Sequence, residues 1–69
     1  MGKTEKLGQL VRDTRKQQKL TQEQLATTTG VGLRFLRELE HGKESCQIGK
    51  VLQVLAMLGI SVQMDGKPL

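Results

Sequence analysis

An all-α domain of four short helices followed by one short strand is the fold this chain predicts, and three observations carry the prediction. Apolar residues recur at helical spacing in four separate stretches, and glycine closes the last three of them. The segment Leu20 to Lys43, LTQEQLATTTGVGLRFLRELEHGK, holds a capping signal, a turn glycine and a second helix start in close succession. Beyond Gly59 the apolar period drops to two, as in a half-buried strand.

The first helix is expected from about Thr4 to Gln18, with Thr4 as its cap. Leu7, Leu10, Val11 and Thr14 share one face, and the remainder is polar. The second opens at Thr21, whose hydroxyl can accept from the N–H of Gln24 while the Gln24 amide reaches back, a capping box. Leu25 and Ala26 face inward and Gly30 ends it. Val31 and Leu36 flank Gly32 as a hydrophobic staple, so a third helix restarts at once, from Leu33 to Glu40, burying Leu36 and Leu39 and ending at Gly42. The fourth runs from roughly Gln47 to Leu58 on a stripe of Ile48, Val51, Leu52, Leu55 and Leu58. Ser45, Cys46 or Gln47 can cap it, and Gly49 weakens its first turn by roughly 1 kcal/mol relative to alanine.

Ile60, Val62 and Met64 then alternate with Ser61 and Gln63, which marks residues 60–64 as the strand. No other segment reads as its partner. Either the same strand of a second copy pairs with it across a two-fold axis, as a dimerisation strand, or it is an extended tail packed on the fourth helix. Residues 65–69 read as a turn and a loose end.

Length and composition bound the rest. The 69 residues make one domain, 1–69, near the lower limit for a self-sufficient core. With one Phe and no Trp or Tyr that core is aliphatic, and a second copy of the chain is the expected support. One cysteine (Cys46) and one histidine (His41) exclude a disulfide framework and a zinc site. No glycine-rich phosphate loop and no nucleophile beside a base can be found, so neither enzyme activity nor a cofactor is expected. The polar N-terminus carries no signal-peptide pattern, no stretch is apolar enough to span a membrane, and a cytoplasmic location is expected. Eleven Lys and Arg against seven Asp and Glu give +4, an excess that suits a polyanionic partner but is equally ordinary for solubility.

The second and third helices are joined by so short a link that they must cross steeply, leaving the third free to enter a major groove. This is a helix-turn-helix, and it points to double-stranded DNA. On the third helix the outward face holds Leu33, Arg34, Arg37 and Glu38. Arginine can donate two hydrogen bonds to a guanine edge, leucine can meet a thymine methyl, and Glu38 can accept from cytosine or simply hold Arg34 at i, i+4. Against this stands the plainer reading of both arginines as a solvated face. Gln22 can brace a reader or bind the DNA backbone. Thr21, first a cap, and Lys19, Lys43 and Lys50 are candidates for phosphate contact or mere solubility. His41 closes the third helix, where a cation suits the dipole. Phe35 is a packing residue, against the fourth helix or a partner chain, and Cys46 a small structural one.

LTQEQLA followed by GVGLRFLRELEHGK resembles the Cro/repressor-like (XRE) helix-turn-helix family, with its Leu-Ser/Thr-Gln opening, turn glycine and Glu-x-Gly ending. The likeness covers about Leu7 to Ile60. It implies the compact lambda-repressor-like arrangement of helices, an ion pair between Arg15 and Glu40, base reading by Leu33, Arg34 and Arg37, and a backbone or supporting role for Gln22. The opening LGQLVRDTRKQQKLTQEQLA, with a short strand after LGI, resembles the HipB-like antitoxins within that family. That resemblance implies a homodimer joined by its C-terminal strands, repression of its own operon at an inverted-repeat operator, and binding to a HipA-type serine/threonine kinase toxin. Gly32 and Leu33 stand where polar residues are common, so the operator sequence does not carry over, and no proline follows Gly42 as it often does in the wider family. The alternatives are a stand-alone or phage-type repressor without a toxin, and a protein-interaction module that has lost DNA binding.

Overall fold

The computed structural model describes residues 2–69, in which four helices are followed by a minimal hairpin: α1 (Lys3–Gln17), α2 (Gln22–Thr29), α3 (Leu33–Glu40), α4 (Ile48–Leu58), β1 (Gln63–Met64) and β2 (Lys67–Pro68). No described helix is long and apolar enough to cross a membrane.

The first helix starts earlier than its sequence suggests. Gly2, not Thr4, is the N-cap, and the Glu5 carboxylate accepts from the Gly2 N–H at 3.0 Å. A carboxylate there also suits the positive end of the helix dipole. The inward face is built on Gly8, Val11 and Arg15, with Leu7 and Thr14 half-buried. Leu10, expected on that face, is 48% exposed. At 100° per residue it lies about 130° round from the centre of the stripe set by those three residues.

The link between α2 and α3 forms as the sequence predicts. Gln24 N–H donates to the Thr21 hydroxyl at 3.0 Å and Thr21 N–H to the Gln24 side-chain carbonyl at 2.9 Å. Gly30 takes a left-handed φ of 79° while its N–H still donates to Ala26. That conformation turns the chain sharply enough for Gly32 to cap α3 two residues later. On α4 the cap is Gln47. Ile48, expected in the buried stripe, is 69% exposed in the first turn, and Val54, which sequence reasoning missed, is fully enclosed instead. The stripe that faces α1 and α2 is Val51, Val54, Leu55 and Leu58, spaced i, i+3, i+4, i+7.

The core is aliphatic, with Val11, Leu25, Leu36 and Val54 at its centre. α1 and α2 each pack on both α3 and α4. Between α1 and the end of α3 the main chains nearly touch. A Cβ on Gly8 would sit 2.4 Å from the carbonyl oxygen of Leu39, and one on Gly42 would sit 2.8 Å from Cα of Glu5.

The C-terminal segment corrects the sequence reading. The strand does not lack a partner within its own chain: β1 pairs antiparallel with β2, Met64 opposite Lys67 and Gln63 opposite Pro68, and the Leu69 N–H donates to the Val62 carbonyl at 2.8 Å. Residues 65–69 are therefore a turn and a return strand, not a loose end. Asp65 and Gly66 both have positive φ (52° and 76°), as a two-residue type I′ turn requires. The strand itself is shorter than residues 60–64, because Ile60 and Val62 pack on the core. Met64–Lys67 closes the turn, so Gln63–Pro68 is a pair without mutual hydrogen bonds and the missing proline N–H leaves no gap between the strands.

Candidate nucleic-acid interface

The geometry of the site begins with what holds α3. Glu40, its last residue, is buried, and its carboxylate accepts from Arg15 twice, from Nε at 2.7 Å and from Nη2 at 3.0 Å. The third guanidinium nitrogen donates to the Leu20 carbonyl at 2.8 Å, at the turn leading into α2. Gln22 adds its amide to the same carboxylate at 3.1 Å. One side chain of α3 is thus fixed from α1 and α2 together, and the outer face of α3 is presented on a rigid base. Gln22 braces the end of α3, not a reader in its first turn.

On that face Arg34 projects into solvent with its side chain 93% exposed, and Arg37, one turn on, is also exposed. Leu33 faces outward only in part. It is half-buried and packs on the core, at the edge of a shallow groove it forms with Ala26, Thr27 and Val31. Glu38 is occupied: its carboxylate accepts from Lys43 Nζ at 3.0 Å and lies 3.8 Å from Arg34 Nε. The hydrogen bond from Lys43 holds that carboxyl below its ordinary pKa. Desolvation opposes it, and the charges of Lys43 and then Arg34 add smaller contributions in the lowering direction.

The other candidates surround this centre. Thr21 is exposed with its hydroxyl engaged in the cap, and Lys19 is exposed on the turn just before it. Lys43 closes the turn after α3. Lys50 lies over the Phe35 ring at 5.7 Å, and Phe35 packs on the core, so helix four is one of its neighbours. His41 caps α3 from the surface, and Cys46 donates to the Lys43 carbonyl. Ile60, Val62 and Met64 lie on the far side of the domain's sequence, in and before the hairpin. What the arrangement offers chemically is a pair of exposed guanidinium forks on one helix face, suited to guanine edges or phosphates, with lysines at both margins. Sequence reasoning did not find the Lys43–Glu38 pair or the Gln22–Glu40 contact. Both depend on where the chain turns, and no local pattern marks them.

Comparison with known proteins agrees with this geometry. The helix-turn-helix family model HTH_3 matches residues 11–64. The "Uncharacterized HTH-type transcriptional regulator y4mF" of Sinorhizobium fredii (strain NBRC 101917 / NGR234) is 57% identical over 58 residues, which cover 84% of this chain and 76% of that protein. Two solved structures, "MDT Protein" and "Structure of HipA-HipB-O2-O3 complex", each contain a chain that matches with a TM-score of 0.81 at 19% identity. Each match covers 93% of this chain and 90% of the other. At that identity the likeness establishes the fold.

Proposed function

The chain belongs to the helix-turn-helix family of XRE type, and from that premise we propose that it is a cytoplasmic, homodimeric transcriptional repressor that serves as the antitoxin of a HipA-type toxin–antitoxin operon. The observation that carries the DNA-binding part is the exposed Arg34–Arg37 face on a helix bolted from behind through Glu40. Each subunit sets α3 into a major groove, with Arg34 and Arg37 on base edges and Leu33 against a neighbouring thymine methyl. Thr21, Gln22, Lys19 and Lys43 flank the backbone. Two such helices, about 34 Å apart across a two-fold axis, call for an inverted-repeat operator.

The dimer uses the hairpin. Pro68 leaves the outer edge of β2 without a donor, while Gln63 turns its N–H and carbonyl outward on the free edge of β1, where a second copy can add antiparallel. Beside that edge lies an open groove of about 460 Å³ lined by Leu52, Ala56, Ile60, Val62, Pro68 and Leu69, apolar surface for the second subunit to cover. The kinase partner rests on the likeness in sequence to HipB-like antitoxins, supported by a shared fold with a chain of the HipA-HipB-O2-O3 complex.

A gel-shift titration against the chain's own upstream region, at two salt concentrations and with or without the product of the adjacent gene, tests the whole reading. A salt-sensitive shift that the neighbour's product supershifts supports it. A shift indifferent to the neighbour leaves a repressor without a toxin, and no shift at all removes DNA binding. Arg34→Ala and Arg37→Ala are each expected to weaken the specific complex about tenfold or more, as loss of a bidentate base contact does.

A further inference from the structure

We infer that Glu38 is an internal counterion that restrains sequence-independent binding of α3 to DNA, by holding Lys43 and Arg34 back from phosphates; it does not read a base. The inference rests on the DNA-binding role proposed above. Glu38 lies on α3 one turn after Arg34 and directly after Arg37, five residues before the lysine that follows the helix. One of its oxygens, Oε2, serves both cations, at 3.0 Å from Lys43 Nζ and 3.8 Å from Arg34 Nε. Lys43 is tied a second time through its backbone N–H, which donates to the Glu38 carbonyl at 3.1 Å. The lysine is therefore placed by main chain and side chain together, and its ammonium is aimed at the carboxylate.

The consequence follows from what binds DNA of any sequence. Such binding is phosphate neutralisation with release of counterions, and each cation that reaches a phosphate adds about 0.9 to the slope of log affinity against log salt. A lysine already neutralised by a neighbouring carboxylate releases less on docking, and must leave Glu38 to reach a phosphate. The carboxylate itself repels the backbone. The trio of Arg34, Glu38 and Lys43 thus brings one net positive charge to the duplex where two cations alone would bring two. A glutamate whose Oε2 is shared by two cations has only its other oxygen to offer a cytosine amino group.

The test uses the full chain and a 30-base-pair duplex of scrambled sequence, so the operator need not be known. Glu38→Gln keeps the size and the hydrogen-bonding shape but removes the charge. Its affinity for the scrambled duplex is expected to rise about five- to tenfold at 0.1 M salt, with the salt slope steeper by about one. In a Lys43→Met background the gain should be clearly smaller, because the more closely held cation is gone and only the hold on Arg34 and the repulsion of the backbone remain to be relieved. Unchanged or weakened binding by Glu38→Gln overturns the inference, as does an equal gain with and without Lys43. If neither parent nor variants bind any duplex at low salt, the DNA-binding role fails, and this inference fails with it.

Discussion

Arg15 and Glu40 are 25 residues apart in the chain and 2.7 Å apart in the fold, joined by two parallel hydrogen bonds within a site where each residue is 7% exposed. The pair links the last turn of α1 to the last residue of α3, and Gln22 of α2 completes it. Three helices meet at one carboxylate, so the orientation of the exposed arginine face depends on a contact hidden behind it.

Breaking this pair should be severe. Arg15→Met leaves the Glu40 carboxylate buried with only Gln22 beside it, which typically costs about 3–5 kcal/mol. At about 0.05–0.15 kcal/mol per residue, a domain of 69 residues has about 3.5–10 kcal/mol in total, so the loss takes a large share of it. The variant is expected to be largely unfolded at 37 °C by circular dichroism. Gln22→Ala, which removes one hydrogen bond to the charge, should lower stability by only about 1.5 kcal/mol in urea. A melting curve for Arg15→Met within a few degrees of the parent would show that the pair contributes little.

Two glycines in helices should respond in opposite directions. A methyl on Gly8 meets carbonyl oxygens of Leu39 and Glu40 at 2.4 and 2.8 Å, and main chain cannot swing aside. Gly8→Ala is expected to destabilise by about 2–3 kcal/mol. A methyl on Gly49 meets nothing within 4 Å, so Gly49→Ala should stabilise by up to about 1 kcal/mol through helix propensity alone. Paired thermal melts check both, and the second should rise by roughly 4–8 °C.

Lys19 separates stability from binding. It holds a left-handed φ of 59° at the end of α1, a conformation that strains a side-chain-bearing residue. Lys19→Gly is expected to raise the unfolding free energy by about 0.5–1 kcal/mol. If the lysine also meets a phosphate, the same variant should bind duplex more weakly, with a salt slope smaller by about one. A gain in stability without any loss of affinity removes Lys19 from the interface.

The hairpin can be opened without touching the core. Gly66→Val places a β-branched residue at a φ of 76°, which the type I′ turn cannot accommodate. The Leu69 amide, bonded to Val62, should lose protection in hydrogen exchange while amides of α1 and α3 keep theirs. Sedimentation should show a weaker dimer. Undiminished self-association would place the subunit contact elsewhere.

Glu38 provides a check by pH. Its carboxyl titrates below the ordinary range because Lys43 donates to the ionised form. The small stabilisation this gives is present above the ordinary carboxylate pKa and is lost as pH falls through the lowered one. Lys43→Met removes the largest cause, so the Glu38 side-chain carbon signal should titrate at higher pH than in the parent. An unmoved titration would mean that the ion pair does not persist in solution.

The four helices, and the ends of α2 and α3, were legible in the sequence because their signals are local, whereas the cap of α1 is Gly2 and not Thr4. The capping box at Thr21 and Gln24, the turn at Gly30 and the restart after Gly32 each involve residues within four positions of one another. The hairpin was equally local, since Asp65-Gly66 is a standard type I′ pair, and went unread because the flanking strands are only two residues long. The Arg15–Glu40 pair was available only by family likeness. Nothing in a spacing of 25 residues announces it.

Sequence by itself therefore determined the four helices, the aliphatic character of the core and the candidate arginines of α3, because periodicity and capping are properties of neighbouring residues. Tertiary structure alone decided which apolar positions were covered. It exposed Leu10 and Ile48 and enclosed Val54, since a helix buries the stripe its neighbours meet and not every apolar residue it carries. It also decided the state of the site's charges. Glu38 and Lys43 neutralise one another because the turn after α3 brings them to 3.0 Å, whereas Arg37 and Arg34, the latter 3.8 Å from the same carboxylate, keep their side chains exposed on the outer face of the helix.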